Sequence, residues 1–124
     1  MAGATVLVAE DYPDFRARLL ALLEPLALEC IAVGNGRAAI DVLRDVSQDL
    51  HLLITDMDMS VHTGWEVIEA AREHRGEALP IVMQTGEARY TYVRQRAAEY
   101  GIVLIDKTDV NEALVPAVRQ ALGL

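Results

Sequence analysis

The sequence holds a single cysteine, Cys30, which excludes an internal disulfide and any metal site built from several thiolates. Its apolar neighbours Leu28, Ile31 and Val33 suggest a buried strand and assign the thiol to the core. No stretch approaches the roughly 18 consecutive apolar residues of a membrane span, and the N-terminus lacks the basic segment and apolar core of a secretory signal. A cytoplasmic chain without membrane association is the expectation. Basic residues are scarce: 11 Lys and Arg stand against 19 Asp and Glu, and the net charge of −8 disfavours nonspecific attraction to nucleic acid or anionic membrane. Internal repeats, low-complexity tracts and Pro/Gly/Ser-rich linkers are also missing, so residues 1–124 read as one domain with no room for an output domain.

What is present is enough apolar material for a core, 52% of residues, with short β-rich runs alternating with helix-like segments. Strand-like runs fall at Thr5 to Ala9, Leu28 to Val33, Leu50 to Thr55, Pro80 to Thr85 and Ile102 to Asp106. Several are apolar throughout (Val6, Leu7, Val8; Leu52, Leu53, Ile54; Ile81, Val82, Met83), as expected for a parallel sheet covered on both faces. Helical spacing appears between them in Phe15, Leu19, Leu22 and Leu26, in Val93, Ala97 and Tyr100, and in Leu114, Val118, Ala121 and Leu122. Pro13 suits a first helical turn, Gly34, Asn35 and Gly36 a turn before the second helix, and Gly64 the entry to a third. The pattern predicts an α/β fold of the (βα)5 type: three layers, flavodoxin-like, with a doubly wound parallel sheet in the order 2-1-3-4-5.

Open sheets of this kind bind ligands beyond the carboxyl ends of their strands, where strand order reverses. Glu10 and Asp11 directly follow the first strand and Asp56 the third, so neighbouring first and third strands bring three acids together. Two carboxylates about 4 Å apart repel by roughly 4 kcal/mol at an effective dielectric near 20, which calls for a cation. An all-oxygen donor set favours a hard ion, and Mg²⁺ takes one or two carboxylates together with water and phosphate oxygens. Lys107 after the fifth strand adds a fixed positive charge and Thr85 at the fourth a hydroxyl. A carboxylate nucleophile, Mg²⁺, an ammonium and a hydroxyl suit in-line phosphoryl transfer onto Asp56. Singly, each residue has an ordinary reading: Glu10 and Asp11 as a helix cap, Asp56 and Asp58 as loop acids, Lys107 as a surface lysine, Thr85 as a strand end. Four strand ends carrying them together favour the joint site.

Over essentially its whole length the chain resembles the response-regulator receiver domain. VLVAED is similar to that family's first strand with its acidic pair, LLITDMDMSVHTGWE to its phosphorylation strand and loop, PIVMQTG to its fourth strand and VLIDK to its fifth. The resemblance implies Asp56 as phosphoacceptor, Asp11 as direct Mg²⁺ ligand, Glu10 as an outer acid acting through water, and Asp58 as a metal ligand through its backbone carbonyl. Thr85 and Lys107 would bind the phosphoryl group. It further implies a sensor histidine kinase or histidine phosphotransfer domain as donor, a downstream effector or output domain outside this chain, and a signalling role rather than turnover catalysis.

Departures from the family pattern are Glu10 for aspartate, Ser60 and Thr108 for prolines, and Leu104 where an aromatic switch commonly stands. Tyr90 and Tyr92 near the fourth helix fit a solvent-exposed role better than a substitute switch, and Gly86 leaves backbone room beside the phosphate. Asp58 and Glu87 flank the pocket at positions that tune phosphoryl lifetime in the family, while His62 and Trp65 are assigned no role. A homodimer through the fourth and fifth helices is compatible with the sequence, but Arg94, Arg96 and Arg119 do not specify one. Two alternatives are a Mg²⁺ phosphatase of haloacid-dehalogenase-like or Toprim-like type using Asp56 and Asp58 of DMDMS, and a pseudo-receiver that keeps the fold as an interaction module.

Overall fold

A computed structural model describes residues 3–124. The chain alternates β1 (Thr5–Ala9), α1 (Pro13–Leu23), β2 (Glu29–Val33), α2 (Gly36–Arg44), β3 (Leu52–Asp56), α3 (Gly64–Arg75), β4 (Ile81–Thr85), α4 (Thr91–Tyr100), β5 (Val103–Asp106) and α5 (Val110–Leu122). All strand pairs are parallel and the order is β2-β1-β3-β4-β5, the expected flavodoxin-like arrangement. Strand order reverses between β1 and β3, which creates the crevice where such sheets bind ligands.

Every residue of β1, β3 and β4 is buried, as their unbroken apolar runs require. Alternation along these strands divides the core. Leu7, Leu53, Ile81 and Met83 face α2, α3 and α4, with Ala39, Leu43, Ile68 and Val93 among their partners. Val6, Val8, Ile54 and Val82 face α1 and α5, packing with Leu19, Leu23, Leu114 and Val118.

Cys30 corrects the sequence-based assignment: it is exposed. β2 is an edge strand with three of its five residues open to solvent, and an apolar run does not by itself distinguish a central strand from an edge. The thiol pKa is nevertheless raised by partial desolvation. The apolar stripe through Leu26 also runs past the end of α1, because Pro25 diverts the chain into a short 3-10 turn at Glu24–Leu26.

Local signals start the helices. Pro13 occupies the first turn of α1, Asn35 caps α2 by accepting from the Ala38 amide at 2.8 Å, and Thr63 forms a capping box with Glu66 at α3. At the amino ends of the strands two arginines tie the connections down. Arg75 donates to the carbonyls of Val42, Leu43, Asp45 and Gln48 at 2.7–3.2 Å, and Arg72 to those of Leu79 and Tyr100 at 2.8 and 3.0 Å.

Candidate functional site

Asp56 is the last residue of β3 rather than the first beyond it, and strand geometry therefore fixes its direction. It follows Ile54 on the α1/α5 face, with only 5% of its surface exposed. Its Oδ1 accepts from the Met57 amide at 2.8 Å, and its Oδ2 accepts from Lys107 Nζ at 3.1 Å. Gly64 secures this turn. Its amide donates to the Met57 carbonyl at 2.7 Å, and a Cβ at this position would collide with the Asp56 carbonyl oxygen.

Glu10, fully buried, extends from the end of β1 onto the same face. Its Oε2 accepts from the Tyr12 amide at 3.1 Å and so also orders the entry to α1. Oε1 lies 3.2 Å from Lys107 Nζ, within ion-pair range but outside hydrogen-bond alignment, which leaves a buried carboxylate oxygen without a hydrogen bond. Asp11 is the more accessible acid, and Glu10, Asp11 and Asp56 each offer an oxygen within 4.8 Å of the others. Lys107 reaches the cluster from beyond β5 with its ammonium 4.6 Å from the Phe15 ring centroid, so α1 supplies a π-face above the charge.

Charge balance at this edge is incomplete: one ammonium serves two buried carboxylates. Burial first, then the negative charge of Glu10, pushes the Asp56 pKa up to about 6, with Lys107 opposing the shift. For Lys107, burial works against the charged form, but Asp56 and then Glu10 outweigh it and raise its pKa. An all-oxygen acidic set with a hydrogen-bond-free buried oxygen fits a hard divalent cation.

These groups border an open cleft of about 600 Å³, together with Tyr12, Arg18 and Asp58. Asp58 is exposed at its rim. Thr85 lies at the same sheet edge but follows Ile81 and Met83 in the alternation, on the face opposite Asp56. Its hydroxyl accepts from the Glu87 amide at 3.1 Å and lies 3.9 Å from the Met57 sulfur. The structure therefore brings Glu10, Asp11, Asp56 and Lys107 together, leaves Asp58 at the rim, and keeps Thr85 outside the cleft lining.

The flanking loops show the effects of the unusual residues. Val61 adopts φ 73°, strained for a β-branched side chain, inside a three-residue turn closed by the His62 amide and the Ser60 carbonyl at 2.9 Å. No sequence signal marks that turn. After Lys107, Asp106 accepts from the Thr108 amide at 3.0 Å and hydroxyl at 2.9 Å, forming the loop without proline. Leu104 packs against the core on the α4 side, while Tyr90 and Tyr92 are exposed and stack on each other with centroids 5.9 Å apart. His62 pairs with Glu66 at 2.8 Å, and Trp65 packs under Arg96.

Fold and site together define a doubly wound α/β domain with a carboxylate-and-lysine centre at its topological switch point. The family model described as the response regulator receiver domain matches residues 6–119, and the chain belongs to that family. It is a receiver domain of two-component signalling, a signalling domain. It is 29% identical over 83 residues to the two-component response regulator-like APRR9 of Arabidopsis thaliana, covering 66% of this chain and 18% of the relative. It is 31% identical over 83 residues to the chemotaxis protein CheV2 of Helicobacter pylori, covering 64% of this chain and 26% of the relative. The chain thus spans only about a fifth to a quarter of those relatives' lengths. The chemotaxis protein CheY4 of Vibrio cholerae superposes with TM-score 0.83 at 25% identity, covering 98% of this chain and all of that one. Neither phosphatase alternative is favoured by these likenesses. No described helix is long and apolar enough to cross a membrane.

Proposed function

We propose that residues 1–124 act as one receiver domain in which Asp56 accepts a phosphoryl group from a phosphohistidine. The single observation carrying this reading is the convergence of Lys107 Nζ on Asp56 and Glu10 at 3.1 and 3.2 Å beside an accessible cleft. An Asp56 carboxylate oxygen attacks phosphorus as the phosphorus–nitrogen bond of the donor breaks, and the bonding pair returns to the imidazole. Lys107 balances charge on the incoming phosphoryl oxygens, and Thr85, after a turn of its side chain, offers them a hydroxyl. Glu10, Asp11, Asp56 and the Asp58 carbonyl hold Mg²⁺, which when bound supplies electrostatic stabilisation of the transferring group. Phe15 and Tyr12 line the cleft on the α1 side.

The donor class is a sensor histidine kinase or a histidine phosphotransfer domain, and the response passes to an effector or output domain outside residues 1–124. The reading places the chain in the cytoplasm, with no direct nucleic-acid contact; pairing through α4 and α5 is a further feature to be measured. Tests of bond type distinguish this reading from the alternatives. After incubation with a phosphorylated kinase, the label should be released by neutral hydroxylamine, as an acyl phosphate is, and should require Asp56. Hydroxylamine-stable label contradicts the assignment, and steady release of inorganic phosphate from a phosphomonoester supports a phosphatase instead.

A further inference from the structure

Gln84 is fully buried in the central strand β4, and neither its carboxamide oxygen nor its nitrogen has a hydrogen-bond partner. An unmade hydrogen bond at a buried polar group costs about 1–3 kcal/mol, and native proteins retain few such groups. Its apolar neighbours offer the amide no side-chain partner. Gln84 follows Val82 on the α1/α5 face, where Ile54, Ile105, Val110 and Leu114 are all apolar.

Register locates the exception. Gln84 pairs with Asp56 on one side and Ile105 on the other, and paired residues of parallel strands project from the same face. Lys107 emerges beyond β5 yet reaches Asp56 on β3, so its side chain must cross the end of β4, where Gln84 is the last strand residue on that face. The carboxamide is therefore next to Asp56 in the sheet and beneath the path of Lys107. In the structure both Asp56 oxygens are already engaged, Oδ1 by the Met57 amide and Oδ2 by the lysine.

We propose that Gln84 is a further positioning residue of this centre, whose amide nitrogen donates to the side-chain oxygen Oδ2 of Asp56 once Lys107 turns to a phosphoryl group carried on Oδ1. The inference rests on the phosphoacceptor reading of Asp56. Phosphorylation draws the ammonium outward, and the oxygen it leaves belongs to the residue paired with Gln84 across the strands. Gln84 then stabilises the loaded state selectively, since the unloaded state gains nothing from it.

Gln84→Met keeps the volume and removes both polar atoms. Binding of Mg²⁺ with beryllofluoride, a phosphoryl mimic, is measured by titration for the wild type, Gln84→Met and Asp56→Asn, together with thermal midpoints in EDTA. Gln84→Met should melt no lower than the wild type in EDTA and bind the mimic on the order of tenfold more weakly, the loss of a hydrogen bond to a charged centre. Equal binding by Gln84→Met and wild type overturns the inference while leaving the phosphoacceptor reading intact. A wild type that does not bind the mimic contradicts both. In wild-type protein, the assigned Gln84 side-chain amide should also become protected from hydrogen exchange on loading; unchanged exchange overturns the inference even if the variant misfolds.

Discussion

The two edges of the sheet carry cations in opposite settings. At the amino edge, Arg75 and Arg72 donate to neutral backbone carbonyls. That satisfies groups which loops would otherwise expose; the one acid among the described residues paired to this set, Glu77 at 3.6 Å from Arg72, is exposed rather than buried. At the carboxyl edge, Lys107 is shared between Asp56 and Glu10, and one buried oxygen remains without a hydrogen bond. The first arrangement serves stability, its hydrogen-bond acceptors being neutral, although Arg72 Nε is left without a hydrogen bond. The second stores uncompensated negative charge next to solvent, so an added cation or phosphoryl group changes its energy. The proposed phosphoryl transfer would take place at the edge where charge balance is unfinished.

Gly64→Ala should break the carboxyl edge most severely, because the new Cβ meets the Asp56 backbone rather than a movable side chain. A loss of about 3 kcal/mol is expected from such overpacking, read by urea denaturation. Wild-type stability in Gly64→Ala would show that the turn relaxes freely.

Arg75→Ala should cost about 2 kcal/mol, because several carbonyls lose a charged donor together. Mg²⁺ affinity should not change, since the residue lies at the opposite edge. A parallel loss of Mg²⁺ binding would remove the proposed separation of roles.

Asp56→Asn should act in the other direction and stabilise the metal-free fold by on the order of 1 kcal/mol at neutral pH, after discounting for solvent screening. The folded pKa, about 6, exceeds the ordinary value of 3.8, so the native state binds more protons between these limits. Ionising Asp56 therefore destabilises the fold; the cost grows as pH rises through that window and is complete above about pH 6. The advantage of Asp56→Asn should fade toward pH 4 in thermal melts, and an advantage that grew on acidification would reverse the sign of the account. Mg²⁺ binding to the wild type should correspondingly weaken as pH falls through about 6, because protons compete for Asp56. A flat pH dependence in calorimetric titrations would argue that Asp56 is not part of the metal site.

Much of the carboxyl edge is legible from residue order. Apolar runs identify β1, β3 and β4 as central, and acids immediately after two neighbouring strands must meet once strand order is known. Other features depend on contacts distant in sequence. Cys30 reads as core from sequence yet is exposed, because Leu28, Ile31 and Val33 have the same composition on an edge strand as in a core. Gly64 reads as a helix entry, whereas the stronger constraint is the Asp56 carbonyl packed against it. The roles of Arg72 and Arg75 are invisible because their acceptors are defined by the fold rather than by neighbouring residues. Gln84 interrupts the apolar run of IVMQTG, a visible anomaly, but its lack of partners requires the packed structure.

Intact-mass measurement after incubation with Mg²⁺ and acetyl phosphate tests the central assignment most directly. The wild type should gain one phosphoryl group, ~80 Da from the chemistry of a single acyl phosphate, and Asp56→Asn should gain none. No gain in the wild type, or an equal gain in Asp56→Asn, would contradict Asp56 as the phosphoacceptor.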